Sequence, residues 1–138
     1  MVDLLRLHVG LAGTASLTVT DAHTAPEIGS GQIKVLATPV MINLMEAAAL
    51  DAVEALLPEG HQSLGIRLDV THVAATPVGM RVEATATLTA VDKRTLRFRV
   101  EARDERDLIG EGTHERVVVN VARFDARLEE KVAIIKAR

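Results

Sequence analysis

Three side chains that could take part in hydrolysis lie in two short stretches of this chain. Thr38 opens a long apolar stretch, Glu46 follows it eight residues later, and His72 lies at the end of a second apolar run. A hydroxyl, a carboxylate and an imidazole are the groups that can polarise a substrate, activate water and move a proton. A buried carboxylate is costly unless it is paired, neutralised or used. These residue types therefore predict hydrolytic chemistry.

Each of the three also has a structural interpretation. Thr38 is a good helix N-cap, and Pro39 suits the first helical position. Glu46 could pair with an arginine, and a single histidine such as His72 is more often structural than catalytic. A helix rises about 1.5 Å per residue, which separates Thr38 from Glu46 by about 12 Å. If the two act together, a substrate, a bend or a second chain must connect them.

The apolar stretch predicts a helix from Thr38 to about Leu57, just before Pro58. Glu46 lies off the polar centre of this helix. The expected apolar face consists of Met41, Met45, Ala48, Ala49, Ala52 and Leu56. One sheet can cover only one side of so apolar a helix, so we expect the other side to be covered by the N-terminal segment or by a second chain.

Alternation with a period of two predicts an antiparallel sheet with one covered and one solvent-facing side. The expected strands are 15–20 before the helix, and 64–73, 80–91, 94–103 and about 109–121 after it. Residues 21–34 are expected to form a loop, and the charged tail, 125–138, is helix-prone. We therefore predict an α+β fold with one domain over residues 1–138.

Composition excludes several function classes. The net charge of −3 provides no broad basic field for a nucleic acid, and Phe98 and Phe124 are the only aromatic residues available for stacking. The chain has no cysteine, which excludes thiolate catalysis and fits a cytoplasmic location. Charged residues interrupt every apolar run, so we expect no membrane span. No metal-ligand spacing is convincing.

Three motifs, in their order and spacing, resemble the hotdog-fold acyl-CoA thioesterases, and in particular the branch similar to fluoroacetyl-CoA thioesterase. The similarity covers roughly residues 30–128. The motifs are Ala37-Thr38 followed by Leu44-Met45-Glu46-Ala47; Ser63-Leu64-Gly65 followed by Val70-Thr71-His72-Val73-Ala74-Ala75-Thr76-Pro77; and Ile109-Gly110-Glu111-Gly112-Thr113-His114-Glu115-Arg116.

This resemblance implies a curved antiparallel sheet wrapped around one long central helix, and a homodimer that could pair further into a tetramer. It implies that Thr38, Glu46 and His72 are catalytic and that Gly65 and Arg116 contact the substrate. The expected reaction is hydrolysis of a short or polar acyl-CoA thioester, with coenzyme A as part of the substrate and no other cofactor. Fluoroacetyl specificity in this branch is associated with an aromatic lid, whereas residues 22–37 contain no aromatic.

Two other functions are open at this point. One is a non-catalytic acyl-CoA-binding or dimerisation domain on the same fold. The other is an enoyl thioester hydratase, which would need an aspartate and a histidine close together. Asp69 and His72 would face opposite sides of a strand, which disfavours the hydratase. The row of Arg97, Arg99 and Arg103 could bind coenzyme A phosphates, although an ordinary solvated sheet face is the more common explanation.

Overall fold

The computed structural model describes residues 2–138, so Met1 of the expected domain lies outside it. Those residues form one five-stranded antiparallel sheet and three α-helices. In chain order, the elements are β1 (Ala12–Thr18), α1 (Ala25–Ile28), α2 (Thr38–Val53), β2 (His61–Val70), β3 (Arg81–Asp92), β4 (Thr95–Arg103), β5 (Leu108–Asn120) and α3 (Val121–Lys136), with 3-10 turns at Asp21–His23 and Glu54–Leu56. The strand order is β1-β3-β4-β5-β2.

The sheet curls around α2, as predicted for a hotdog fold. The buried side of α2 consists of Met41, Leu44, Met45, Ala48, Ala49, Ala52 and Val53. Burial of the five predicted residues between Met41 and Ala52 is confirmed. Leu56 was expected on this face, but it is only half-buried, because the α-helix ends at Val53 and the chain continues as a 3-10 turn.

The N-terminal strand covers part of α2 that the rest of the sheet leaves open. A Cβ at Gly13 of β1 would overlap the backbone of Ala48 and Ala52, so the strand lies directly on the helix at this point. The backbone N–H of Thr14 also donates to the Asp51 carboxylate at 2.9 Å. The absence of a side chain at Gly13 permits this close approach.

The prediction that Thr38 caps the helix is wrong. Ala37 is the N-cap residue, Thr38 is the first helical residue, and Pro39 follows it. The hydroxyl of Thr38 points away from the helix backbone and forms a hydrogen bond with the His72 side chain. Because Thr38 is not the N-cap residue, its hydroxyl can take part in a functional site.

The predicted strands after the helix are confirmed with small shifts at their ends. The largest shift is in β2, which ends at Val70 instead of 73, although Thr71 and Val73 still donate backbone hydrogen bonds to β5. Residues 21–34 were expected to be a loop, but they contain a 3-10 turn and the short helix α1. The tail forms α3, which continues directly from β5. No helix of residues 2–138 is long and apolar enough to cross a membrane.

The edge strand β2 is long and carries exposed apolar side chains. Leu64 and Ile66 are 41% and 56% exposed. Its pairing with β5 is interrupted by a bulge between Gly65 and Arg67. Sheet edges are usually blunted by charge or covered, because an open edge presents unpaired backbone groups to other chains. An uncovered ten-residue edge of this kind favours pairing with another chain.

Candidate active site

Thr38 and His72 are in direct contact. The Thr38 hydroxyl lies 2.7 Å from Nδ1 of His72. Thr38 is placed by the first turn of α2, and His72 by the segment that follows β2. A hydroxyl that donates to a neutral imidazole is a polarised hydroxyl, and the imidazole can accept its proton.

The other nitrogen of His72 is buried and has no partner. Among residues 2–138, Nε2 of His72 is the one buried side-chain polar atom without a hydrogen bond. If Nδ1 accepts the Thr38 hydroxyl proton, Nε2 carries the hydrogen of the neutral ring. Burial lowers the pKa of His72, and the backbone of Ala74 opposes this effect in part. An unpaired buried donor is costly, which makes Nε2 a group that can donate to a bound substrate.

A cavity of about 290 Å³ opens beside this pair. Thr38 and His72 supply its polar groups, together with Ser30. The remaining wall is small and aliphatic: Ala25, Val35, Leu36, Val73, Ala74 and Ala75. The cavity therefore suits a small acyl group next to a hydroxyl and an imidazole.

Glu46 belongs to a second cluster. Its Oε2 accepts a charge-assisted hydrogen bond from Nη1 of Arg116 at 3.4 Å, and the side chains of Arg116 and Glu46 are 5% and 36% exposed. The carboxylate is therefore held from the inside by a buried guanidinium while one side remains open. Arg116 was expected to contact the substrate, but in this protomer its hydrogen bonds go to protein groups.

Ser63 and Glu54 hold Arg116 in position through a chain of hydrogen bonds. Neither residue was identified as functional from the sequence. Arg116 donates from Nε to Ser63 Oγ at 2.8 Å and from Nη2 to the Ser63 carbonyl at 3.0 Å. Ser63 in turn donates to the Glu54 carboxylate from its backbone N–H and its hydroxyl, at 2.9 and 2.6 Å. In the sequence, Ser63 appeared only as part of the Ser63-Leu64-Gly65 motif, with no role assigned to it.

His114 completes the second cluster as a neutral ring. Its Nδ1 donates to the Arg67 carbonyl at 2.9 Å, which leaves Nε2 to accept from Arg116 at 3.1 Å. Burial lowers the pKa of His114, the Arg67 carbonyl opposes this, and the charge of Arg116 lowers it further. The ring also stacks on Phe98, with centroids 6.0 Å apart. His114 thus orients Arg116 without adding charge.

Gly65 allows the Glu46 carboxylate to lie close against strand β2. A Cβ built at Gly65 would lie 2.6 Å from Glu46 Oε2 and 3.1 Å from Cε1 of His114. The φ angle of Gly65 is not in the left-handed region. The glycine is therefore required by space and not by backbone conformation, because the Glu46 carboxylate occupies the place that a side chain at this position would take.

The five predicted residues thus form two groups within one protomer. Thr38 and His72 form one, whereas Glu46, Gly65 and Arg116 form the other, as expected from the length of helix between Thr38 and Glu46. The exposed arginine row 97, 99 and 103 is neutralised by ion pairs with acidic neighbours. Among residues 2–138, no three histidine, aspartate or glutamate side chains are grouped to hold a metal ion.

The sequence of this chain matches that of known thioesterases. A family model described as fluoroacetyl-CoA-specific thioesterase matches residues 19–122. The fluoroacetyl-CoA thioesterase of Streptantibioticus cattleyicolor is 46% identical over 98 residues, which are 71% of this chain and 70% of that protein.

Solved structures agree with this match. The structure of the fluoroacetyl-CoA thioesterase FlK aligns with a TM-score of 0.85 at 38% identity, covering 91% of this chain and 97% of that one. A thioesterase superfamily member from Thermus thermophilus aligns with a TM-score of 0.86 at 29% identity, covering 95% and 97%. The predicted family and hotdog fold are confirmed: this chain belongs to the family of fluoroacetyl-CoA-specific thioesterases.

Proposed function

We propose that this thioesterase hydrolyses a short or polar acyl-CoA thioester to the free acid and coenzyme A, using Thr38, Glu46 and His72. One observation carries the assignment of residues. The buried Nε2 of His72 lacks a partner while its Nδ1 is bound to the Thr38 hydroxyl. A ring held this way beside a small cavity supports catalysis over a purely binding role.

The role that we propose for each residue follows from its contacts. The Glu46 carboxylate attacks the thioester carbonyl carbon or removes a proton from the water that attacks it. His72 carries the proton released by the water to the leaving thiolate. The C–S bond breaks, the acyl carbon keeps the hydroxyl of the water, and free coenzyme A departs. Thr38 polarises or orients the reacting group. The backbone at Gly65 lies where it can approach the carbonyl oxygen.

A homodimer is part of this proposal. Within one protomer, Glu46 and the Thr38–His72 pair are about 12 Å apart along the helix axis. The exposed edge of β2, with Leu64 and Ile66, supports pairing of two copies at the strand that also carries Gly65. We propose that a site at this seam combines the Glu46 group of one protomer with the Thr38–His72 pair of its partner. Assembly into a tetramer and a cytoplasmic location remain predictions from the sequence.

The acyl group is expected to be small. The cavity beside Thr38 has no aromatic wall, and the large apolar side chains exposed in the segment before α2, Ile28 and Ile33, are aliphatic. Without a ring to cover the thioester, we expect fluoroacetyl-CoA and acetyl-CoA to have kcat/KM values within about tenfold of each other, which corresponds to ~1.4 kcal/mol. A preference of several hundredfold for the fluorinated substrate would contradict this expectation.

The experiment that tests the function measures thiol release from a panel of acyl-CoAs by the wild type and by Glu46→Ala, His72→Ala and Thr38→Val. We expect turnover of a short acyl-CoA, and a loss of about 100-fold or more in kcat for the first two variants. Thr71→Val, which removes an exposed neighbouring hydroxyl, is the matched control and should keep its rate. Tight acyl-CoA binding without hydrolysis would favour the non-catalytic binding domain instead.

A further inference from the structure

A second cavity lies away from both catalytic clusters, where β5 passes into α3. It has a volume of about 540 Å³, within the range of roughly 300–1,000 Å³ that is usual for small-molecule sites. Arg94, Arg123, His61 and Asn120 line it, together with Val2 and Asp3. A smaller cavity continues from it along α3 and adds Phe124 and Arg127.

The arginines of this surface have no counter-ions. Within residues 2–138, six arginines form the ion pairs of the sheet and the Glu46 cluster, and Arg94, Arg123 and Arg127 are not among them. Asp3 is the only acid on the larger cavity, and its carboxylate accepts the Leu5 N–H. In a chain with a net charge of −3, three neighbouring unpaired guanidinium groups point to an anionic ligand.

Phe124 lies between two of these arginines in sequence and is 40% exposed, whereas the other phenylalanine, Phe98, is 1% exposed in the core. One exposed ring is too few to stack along a single-stranded nucleic acid, but it can stack on a single purine ring. The guanidinium groups beside it can bind phosphates. The local structure fixes this arrangement. Asn120 caps α3 by accepting the Arg123 N–H at 3.1 Å, and the Arg94 carbonyl accepts the Val118 N–H at 2.8 Å.

The distance to the catalytic clusters is suitable for coenzyme A. His61 and Asn120 are paired across β2 and β5, as are Gly65 and Arg116. The two pairs are four residues apart along each strand, which is about 13 Å. An extended pantetheine arm can span this distance.

We propose that Arg94, Arg123, Phe124 and Arg127 bind the adenosine bisphosphate end of coenzyme A. Phe124 stacks on the adenine, and the arginines bind the phosphates. The proposal rests on the proposed function for the thioester at the other end of the arm. It replaces the arginine row of β4 as the phosphate-binding surface, because that row is already neutralised by acidic neighbours.

The test compares one acyl group on coenzyme A and on pantetheine. For the double variant Arg123→Gln/Arg127→Gln, we expect the KM for acyl-CoA to rise about tenfold or more, with kcat unchanged and both constants for acyl-pantetheine unchanged. Phe124→Leu should raise the KM for acyl-CoA in the same selective way. Arg103→Gln, which removes a paired charge from the sheet, is the control and should leave the KM unchanged.

Binding of adenosine 3′,5′-bisphosphate, measured by calorimetry, tests the site without catalysis. We expect binding to the wild type and weaker binding to the double variant. Failure of the wild type to hydrolyse either thioester would overturn the proposed function but leave the nucleotide site supported if the bisphosphate still binds. An unchanged KM and unchanged bisphosphate binding in the double variant would overturn the nucleotide site. An equal loss on both thioesters with a change in oligomeric state would also overturn it, in favour of a contact between copies.

Discussion

His72 is the residue at which the chemistry depends most directly on environment. Its ring is bound at Nδ1 by Thr38, unpaired at Nε2, and partly buried. A neutral ring is required for Nδ1 to accept a proton. The same burial that leaves Nε2 without a partner also keeps the ring neutral, because desolvation disfavours the charged form.

The pH dependence follows from the lowered pKa of His72. Below that pKa the ring is protonated, Nδ1 can no longer accept from Thr38, and the rate falls. We therefore expect the acid limb of kcat/KM to lie below about 6.5, the ordinary value for histidine. Measuring kcat/KM across the acidic range checks this, and the limb should be lost in the residual activity of His72→Ala. An acid limb at or above the ordinary value would contradict it.

The candidate residues could be predicted from the sequence, but their grouping could be predicted only in part. The length of helix between Thr38 and Glu46 was sufficient to predict that the two do not meet in one protomer. The Thr38–His72 hydrogen bond and the support of Arg116 by Ser63 and Glu54 depend on how distant segments pack. No local pattern encodes such contacts.

At the scale of elements, α2 and β2 come close together where Gly65 lies beside Glu46. The Glu46 carboxylate of α2 occupies the space where a side chain at Gly65 of β2 would otherwise be. The apolar stretch predicted α2 well, because its buried face determines the helix almost alone. Strand β2 was predicted three residues too far along the chain, because its one buried residue is Ser63 and no apolar face fixes its position. The error at Thr38 arose because local capping preference competed with a tertiary hydrogen bond, and the tertiary contact was favoured.

Gly65→Ala tests whether the close approach of the Glu46 carboxylate to β2 is needed for activity. The new methyl group would be 2.6 Å from Glu46 Oε2, so the carboxylate must move away from Arg116. We expect kcat to fall about 10-fold or more, while the melting temperature changes little, since a side-chain end can shift and the backbone conformation accepts alanine. Gly31→Ala, whose methyl group would meet only Ala25 at 3.4 Å, is the control for stability. A fully active Gly65→Ala enzyme would show that activity does not depend on the position of the Glu46 carboxylate beside Gly65.

At the scale of the whole molecule, the separation of the two clusters within one chain is the reason for the proposed dimer. The proposed dimer would bring the clusters together twice, once on each side of its two-fold axis.

Mixing two inactive variants tests this arrangement. In a heterodimer of His72→Ala and Glu46→Gln, one site receives both mutations and the other receives neither. Co-expression should therefore restore up to about a quarter of the wild-type activity, given random pairing of subunits in a two-fold dimer. Each variant alone should stay inactive, and size-exclusion chromatography should show dimers throughout. If the mixture recovers no activity although heterodimers form, both clusters act within one protomer.

The direct passage of β5 into α3 has a consequence for the form in which the acyl group is presented. Arg116 and the start of α3 are held a fixed distance apart by one hydrogen-bonded strand with no intervening loop. An acyl group on a carrier protein has the same phosphopantetheine arm but no nucleotide beyond it. The rigid spacing would therefore make the enzyme select free coenzyme A thioesters over carrier-bound ones. Equal rates on the two substrates would show that the nucleotide end of coenzyme A does not contribute to recognition.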